Sequence, residues 1–545
     1  MPERERRVPT GWLLVAGATL ALAALLAAGR SDAADPQEVA RRVDQLLAEE
    51  LSSPEWKLAG PAEEAVFLRR VFLDLIGEPP TPDDVLAYLA DRSADKRARL
   101  VERLLADPQY GENWASYWRD VILYPRTEER AIVVANSAMQ FLTEAFNNNT
   151  RWDEIVTQFI TARGDVRENG ATALIMAQGG KPEEIVAEVS RIFLGIQIQC
   201  AQCHDHPSER WKREQFHQLA AFFPRVAVRP DRSGDQPTFL VTVNDGRFAP
   251  RRNDVRFVGT PEHYMPDLED PQARGTLMKP ALFVTGQSLP VGVSDAMRRG
   301  MLARWLTSPE NPWFAKAFVN RMWAELCGEG FYEPIDQMGP DHTPTAPRTL
   351  DYLAAQFAES GYDIKWLLRV ITATQLYQSE GRARRLPDAP PMTANVVQPL
   401  RADVLYESLL AALGIQDPMP RGVPPLGMAR ARAGRFAFNQ VFGFDPSTPR
   451  EEIVTTLPQV LAMMNSRQIA GAASAGGPLL RRVAFEYPRT EDAVRYLYLR
   501  VLSRFPTESE LQWATRCIEK AESEQAGRED LLWVLLNSTE FAHRP

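Results

Sequence analysis

Residues 68–84, LRRVFLDLIGEPPTPDD, contain the pattern that decides the fold. Apolar residues recur at helical spacing up to Gly77, and the two prolines that follow cannot continue a helix. Thr81 then has the position of an N-cap, because a proline follows it directly and Asp84 lies three residues later. The stretch therefore predicts two helices joined by a short proline break.

A similar pattern recurs near the end of the chain, in residues 494–510, VRYLYLRVLSRFPTESE. When the two segments are aligned, Leu73 pairs with Leu499 and Thr81 pairs with Thr507. Each segment predicts an apolar helix, a proline break and a second helix that begins at a threonine cap. Because a single recurrence does not indicate a solenoid, we interpret the segments as two copies of one helix–turn–helix arrangement.

Helical periodicity extends over most of the chain, on both sides of a segment with strand signals. There, TFLVTV followed by NDG and RFAP predicts a β-hairpin, and DVRFVG and ALFVTG predict further short strands. We therefore predict a mainly α fold with two helical domains and a small β-rich insert between them. The predicted boundaries are 36–223 for the first helical domain, 224–292 for the insert and 293–545 for the second helical domain.

The composition is that of a folded protein without a strongly basic surface. The 545 residues are 45% hydrophobic and 24% charged, which argues against extended disorder. A net charge of −9 gives no indication of a nucleic-acid partner, and we expect none. Four cysteines are too few for a disulfide scaffold, and the isolated Cys327 and Cys517 are predicted to be buried small hydrophobes.

The first 34 residues have the pattern of an export signal. Three arginines precede an almost uninterrupted apolar run from Trp12 to Ala28, and small residues follow at Ser31 and Ala33. This order is typical of a secretory signal, and the run is also long enough to span a bilayer. We therefore expect residues 1–34 to be a signal peptide or N-terminal anchor, and the protein to be exported to the periplasm or cell envelope. Membrane contact, if any, would be made through this segment.

Cys200, Cys203 and His204 form a C-x-x-C-H motif within CAQCHDHP. With four cysteines and six histidines in the chain, chance would produce this motif only about 0.0003 times. Two thiols at this spacing can reach both vinyl groups of a porphyrin, and the adjacent histidine can then ligate the iron. The motif therefore predicts haem c, attached through the two cysteines with His204 as proximal ligand.

Two other interpretations of the motif remain open. Zinc or another transition-metal ion could be bound by Cys200 and Cys203 with His204, His206 or Asp205, because such ions accept mixed nitrogen, sulfur and oxygen ligands. Alternatively, the two cysteines could form a disulfide or dithiol beside histidines with structural roles. His206 is superfluous to a simple haem c site and useful to a bare metal ion.

A low-spin haem would need a second axial ligand, and His206 is too close to His204 to reach the opposite face of the porphyrin. The candidates are His217, His263, His342 and the methionines, of which Met176 is the nearest upstream. The pattern around His217 predicts instead a polar position on an amphipathic helix. Without a second ligand, the iron would be five-coordinate and open to small molecules.

Two other polar pairs are weaker candidates. Asn320 and Arg321 lie on an apolar helix, where buried hydrogen bonds are the favoured interpretation. Asp341 and His342 lie in a proline-rich turn and could supply a metal ligand or a base, although a turn or capping role is favoured. No nucleophile elbow, Walker A loop, dinucleotide fingerprint or H-E-x-x-H motif occurs, so the sequence does not decide whether the chain is an enzyme.

The segment SRIFLGIQIQCAQCHDHP, followed by a helix ending in LAAFF, resembles exported planctomycete cytochrome-related proteins built from two paired domains of unknown function. Other blocks of the chain resemble the same family in the same order: LLADPQYGENWASYWRD, ARWLTSPENPWFAKAFVNRMW and the closing LLWVLLNSTEF. The resemblance implies that residues 36–223 are a cytochrome-like domain and that the C-terminal half is its usual partner domain.

Together, the motif, the export signal and the resemblance lead us to expect an exported haem c-bearing electron-transfer or redox accessory protein. Its partner would be a redox or envelope protein. The alternatives are a haem-free metal-binding envelope protein, such as a hydrolase or a scaffold linked to polysaccharide handling, and a purely structural envelope protein.

Overall fold

The computed structural model describes residues 33–124, 129–233, 237–246, 261–270, 272–383, 390–416, 434–449, 452–453, 456–465, 467–474 and 476–545. The expected signal segment lies outside these residues except for its last two positions. The predicted strand segments RFAP and DVRFVG also lie outside them. Among the described residues, no helix combines the length and the apolar character needed to cross a membrane.

The fold is mainly α, as predicted. In the first part of the chain the helices are α1 Pro36–Glu50, α2 Glu64–Leu75, α3 Pro82–Ala90, α4 Lys96–Leu105, α5 Pro108–Leu123, α6 Glu129–Asn147, α7 Trp152–Thr161, α8 Ala173–Ala177, α9 Pro182–Leu194 and α10 Arg213–Ala220. Short 3₁₀ turns occupy Gly170–Thr172 and Gln199–Gln202.

Helices also dominate the second part of the chain. They are α11 Asp295–Leu306, α12 Pro312–Cys327, α13 Pro347–Glu359, α14 Ile364–Ala373, α15 Gln375–Gln378, α16 Ala402–Leu413, α17 Arg435–Phe442, α18 Leu457–Asn465, α19 Arg467–Ala473, α20 Pro478–Glu486, α21 Thr490–Leu502, α22 Glu508–Lys520, α23 Glu524–Leu536 and α24 Thr539–Ala542.

The strands are short. They are β1 Gly164–Asp165, β2 Val226–Asp231, β3 Thr238–Val243, β4 Tyr264–Met265, β5 Thr276–Leu277, β6 Gly381–Arg382, β7 Asn395–Val396, β8 Gln398–Pro399 and β9 His543–Arg544. The largest sheet has the order β1-β3-β2, and β3 pairs antiparallel with both neighbours.

The predicted β-rich insert is only partly confirmed. TFLVTV is strand β3, but it pairs with β2, which precedes it in the chain and was not predicted. The proline at position 230 argues against a strand, and it is tolerated here because β2 lies at the edge of the sheet. The prediction that ALFVTG is a strand is wrong: residues 281–286 form a turn, with one isolated bridge from Ala281 to Ser288.

The helix–break–helix pattern of residues 68–84 is confirmed. After α2 the backbone becomes left-handed at Gly77, with φ +69°, and Thr81 Oγ1 accepts a hydrogen bond from the backbone N–H of Asp84 at 3.1 Å. The copy near the end of the chain has the same two features, with φ +59° at Ser503 and a capping box at Thr507. Each break therefore ends one helix and starts the next by the same local means.

Buried apolar side chains form two cores. The first contains side chains from residues 39–392, and the second contains side chains from residues 400–541. Each core also contains one leucine from the other part of the chain: Leu73 packs in the second core, and Leu499 packs in the first. Helices α11 to α15 therefore share a core with the first half of the chain, and the cores divide after residue 392.

Candidate functional site

The C-x-x-C-H motif lies on a short turn in which one side chain, that of Ala201, is buried. Helix α9 ends at Gly195, whose φ of +66° reverses the chain, and the 3₁₀ turn Gln199–Gln202 follows. Within this turn Ala201 is fully buried, whereas Cys200 and Cys203 are exposed free thiols. The turn thus presents both thiols to solvent while its middle packs against the first core.

His204 is exposed and has one defined hydrogen bond. Its Nδ1 lies 2.7 Å from the backbone oxygen of Asp205. Because a carbonyl oxygen only accepts, Nδ1 carries the proton, and Nε2 of the neutral ring keeps its lone pair. This is the arrangement typical of a histidine that ligates a metal through Nε2.

His206 has the opposite arrangement. Its Nδ1 accepts a hydrogen bond from the backbone N–H of Glu209 at 3.1 Å, so Nε2 carries the proton in the neutral ring. Its own backbone N–H donates to the oxygen of Trp211 at 2.8 Å. His206 therefore acts as a loop residue and offers no free lone pair to a metal in this tautomer. In the part of the chain that the structure describes, no three His, Cys, Asp or Glu side chains form a group suited to a metal ion.

Asp205 ties the motif to the start of helix α10. Its Oδ1 accepts from the backbone N–H of Arg213 at 3.0 Å, and its Oδ2 accepts from Lys212 Nζ at 3.0 Å. These bonds, led by the one from the Arg213 backbone, lower the pKa of the exposed Asp205 carboxyl. These bonds join the two ends of the loop 205–213 to each other.

Asp341 and His342 are not confined to a local turn, because both reach the loop after the motif. Arg210 donates to Asp341 from its backbone N–H at 2.9 Å and from Nη2 at 2.9 Å. His342 Nε2 lies 3.2 Å from Glu209 Oε1, and Glu209 Oε2 accepts from Trp211 Nε1 at 2.7 Å. The favoured sequence interpretation missed these contacts, since the partners lie more than 130 residues apart.

His217 lies on an amphipathic helix, as predicted, but it is buried, with 1% of its surface exposed. Its Nε2 lies 3.0 Å from the backbone oxygen of Gln202, and its Nδ1 lies 2.9 Å from His263 Nε2. Burial lowers the pKa of both histidines to about 4. The pair therefore lies directly behind the motif turn, and both rings are neutral at ordinary pH.

Among the suggested second axial ligands, the three histidines and Met176, the nearest upstream methionine, have defined places in the structure. His217 and His263 use their facing nitrogens on each other, and His342 faces Glu209. Met176 is fully buried in the short helix α8. In the hydrogen bonds described, none of these four residues is joined to His204.

The prediction of buried hydrogen bonds for Asn320 and Arg321 is confirmed. Asn320 Oδ1 accepts from the backbone N–H of Tyr332 at 3.0 Å. The Arg321 guanidinium pairs with Asp336, and both side chains are about 2% exposed. These residues stabilise the turn after α12 and contact no part of the motif in the interactions described.

The two isolated cysteines differ. Cys327 is buried at the end of α12, as predicted. Cys517 is exposed, and that prediction is wrong because the buried stripe of α22 consists of Leu511, Ala514 and Ile518. Position 517 lies outside this stripe, so its thiol faces solvent.

The residues that support the turn, chiefly Gln202, Glu209, Arg213 and His217, were not identified from the sequence as a group. Their types are common on protein surfaces, and no spacing pattern joins them to partners as distant as His263. Only the folded chain brings them to the motif.

Comparison with known families identifies two domains. Residues 42–228, which include the whole motif turn, match PSCyt2, a protein of unknown function (DUF1549). Residues 298–430, which begin within α11, match PSD1, a protein of unknown function (DUF1553). No curated protein and no solved structure is significantly similar to the chain. The chain therefore carries a DUF1549 domain followed by a DUF1553 domain.

Proposed function

We propose that the protein is an exported redox protein that binds haem c through Cys200, Cys203 and His204. One observation supports this function best: a single short turn presents two exposed thiols, followed by a histidine whose Nε2 keeps its lone pair. These are the three donor groups that a c-type haem uses. The donor set therefore fits the cofactor.

When bound, haem would supply one-electron transfer at its iron. Cys200 and Cys203 would hold the porphyrin, each by addition of its S–H across one vinyl group to give a thioether. The Asp205 carbonyl keeps the His204 ring in the Nδ1–H tautomer, so Nε2 would be the ring nitrogen that holds the iron. Buried Ala201 keeps the two thiols on the outer side of the turn.

The residues around the turn favour a single protein ligand for the iron. Among the suggested second ligands, His217 and His263 are joined to each other, His342 Nε2 faces Glu209, and Met176 is buried, so we propose that His204 would ligate alone. Such a site would be five-coordinate and open to small molecules. An electron-transfer role or a small-molecule-binding role would both use this exposed position, with a redox or envelope protein as partner.

The bare-metal alternative has less support. A zinc or other transition-metal site that used His206 would require this ring to lose the hydrogen bond from Glu209 or to move its proton to Nδ1. His204 needs no such change. The envelope hydrolase, scaffold and structural alternatives have no specific observation in their favour.

Periplasmic expression together with a haem-maturation system tests the proposal. We expect a Soret band and a mass increase of one haem, both lost in the double variant Cys200→Ser, Cys203→Ser. The matched control is Cys517→Ser, which removes an exposed thiol outside the motif and should keep both signals. A wild-type protein without the Soret band and the mass increase would contradict the proposal.

The same preparation also separates the alternatives. Metal analysis of a haem-free sample would detect a bare ion, and its intact mass before and after reduction would detect a Cys200–Cys203 disulfide. Cell fractionation tests export, and recovery of the full-length chain only from the cytoplasm would contradict it.

A further inference from the structure

We infer that His217 and His263 are positioning residues, which fix the backbone of the motif turn at Gln202 through a directional chain of hydrogen bonds between two neutral rings. The inference deepens the proposed haem function, since it concerns how that site is held. Its structural part, the restraint on the turn, can be tested with or without haem.

The direction of the chain follows from its first acceptor. The Gln202 backbone oxygen can only accept, so His217 Nε2 must donate across the 3.0 Å contact. The Nδ1 of the neutral His217 ring then has a lone pair and accepts from His263 Nε2–H at 2.9 Å. The two ring planes differ by only 21°, with centroids 5.2 Å apart, which suits an in-line N–H···N bond.

Burial is the main cause that keeps the pair neutral, while the charged groups around it act in opposite directions: Arg213 lowers the pKa of His217 and Glu183 raises it. On its own helix, His217 has Arg213 nearby, and this positive charge opposes protonation of the ring. From α9, Glu183 Oε1 lies 3.8 Å from His263 Nδ1, which is too far for a hydrogen bond. If His217 Nδ1 carried a proton, it could no longer accept from His263 Nε2–H, and the His263 ring would have to move its proton to Nδ1. The chain of hydrogen bonds therefore has this direction while both rings are neutral.

The chain of hydrogen bonds joins the turn to a segment distant in sequence. His263 lies in residues 261–270, and its backbone oxygen accepts from the N–H of Met278 at 3.0 Å. Arg213 adds a second connection, since its Nη2 donates to the oxygen of Pro266 at 2.6 Å and its Nε reaches the Gln202 oxygen at 3.4 Å. The back of the turn is thus fastened to this segment at two points.

The restrained atom is close to the reacting groups. The Gln202 oxygen belongs to the peptide unit that leads directly into Cys203, and His204 follows. Fixing this peptide plane limits how far the Cys203 thiol and the His204 ring can rotate away from one another. His217 and His263 touch no reacting atom themselves, so they act only through the turn.

Two substitutions at His217 separate positioning from general stability. His217→Gln keeps a donor for Gln202 and an acceptor for His263, whereas His217→Phe fills a similar volume and removes both. We expect amide hydrogen exchange in the peptide 199–206 to be about tenfold faster in His217→Phe and close to wild type in His217→Gln. The matched control His543→Phe changes a half-exposed histidine elsewhere and should leave this peptide unchanged.

In haem-loaded protein, His217→Phe should also shift the midpoint potential, and His217→Gln should restore it. Unchanged exchange and unchanged potential in His217→Phe would overturn the inference.

If this variant fails to fold, ring ¹⁵N shifts of the wild-type protein at pH 6 are decisive. A proton on Nε2 alone at His217 supports the inference, and a doubly protonated ring contradicts it. A haem-free wild type would refute the proposed function, while the exchange experiment would still test the restraint.

Discussion

The two histidines of CHDH differ in which ring nitrogen carries the proton, and this difference predicts unequal roles. His204 has its lone pair on Nε2, whereas His206 uses its Nδ1 lone pair to accept from Glu209. We therefore expect His204→Ala to abolish the normal ferrous absorption spectrum of the haem-loaded protein. His206→Asn keeps an acceptor near the Glu209 N–H and should leave the spectrum unchanged. Visible spectroscopy of both purified variants checks this prediction.

A result in which His206→Asn lowers cofactor content as strongly as His204→Ala would contradict this assignment. It would instead favour a bare-metal site that uses both rings. His342→Asn is a suitable control, because His342 lies beside the loop and contacts Glu209.

The buried histidine pair predicts how stability depends on pH. The pKa of each ring is about 4 in the folded protein and about 6.5 when unfolded, so the unfolded chain binds protons that the folded chain does not. Stability should therefore fall as the pH falls from about 6.5 to about 4, by up to about 1.4 kcal/mol per pH unit for each histidine. Urea denaturation at several pH values should give a shallower slope for His217→Gln than for wild type. Equal slopes would count against burial of the pair.

At the residue scale, the sequence predicted the groups that the proposed function uses but not the residues that hold them in place. Cys200, Cys203 and His204 were recognised because the chemistry of haem attachment requires a local spacing. The role of His217 was missed, because its partners Gln202 and His263 are brought to it only by folding. A helical pattern cannot distinguish a buried histidine with satisfied nitrogens from an exposed one.

At the scale of the helices, the two threonine caps predict matched losses of stability. Thr81 and Thr507 each form a capping box at the start of a helix, α3 or α22. We expect Thr81→Ala and Thr507→Ala each to lower the free energy of unfolding by about 1 kcal/mol. Thr81→Ser and Thr507→Ser, which retain the hydroxyl, should lose much less. Denaturant titration of the four variants tests this, and a loss in the serine variants equal to that in alanine would contradict it.

Asp44 joins helix α1 to the start of α15, where it accepts from the backbone N–H of Gln375 at 2.9 Å. Burial raises its pKa to about 7, so between about pH 4 and 7 the folded state binds a proton more tightly than the unfolded chain. Stability from this group therefore falls as the pH rises through that window. Asp44→Asn keeps the acceptor without the charge and should stabilise the protein by about 1–2 kcal/mol at pH 8. No gain at pH 8, measured by urea denaturation, would contradict this.

Helices with capping residues and proline breaks were predictable because their signals are local, as at Thr81 and Gly77. The strand Val226–Asp231 was not, because its partner lies in the next segment and a proline interrupts its pattern. ALFVTG has strand-like residues, but Pro280 and Gly286 lie at its ends and the chain turns there. Whether these short segments form strands depends on pairing with a partner strand and not on their intrinsic β-propensity.

At the scale of the whole molecule, the recurring helix–turn–helix pattern has a structural consequence. The aligned residues Leu73 and Leu499 each pack in the core formed by the other part of the chain: Leu73 in the second core and Leu499 in the first. Helices α2 and α21 therefore contribute reciprocally to the boundary between the cores. The sequence revealed the repeat, but it contained no signal that the cores divide between residues 392 and 400, since this depends on which helix faces meet.

Arg69 joins the two cores through hydrogen bonds to backbone and hydroxyl oxygens, and its loss should weaken the second core most. Its guanidinium donates to the backbone oxygens of Val501 at 3.0 Å and Phe541 at 3.2 Å, and to Ser503 Oγ at 3.2 Å. Arg69→Met leaves these buried acceptors unpaired, so we expect a loss of about 2–4 kcal/mol, measured by denaturant titration. In the ion pairs described, the aligned Arg495 pairs only with acidic residues of its own helix, and its side chain is 41% exposed. Arg495→Met should therefore lower the free energy of unfolding by less than about 1 kcal/mol. Equal losses in the two variants would show that Arg69 does not join the cores.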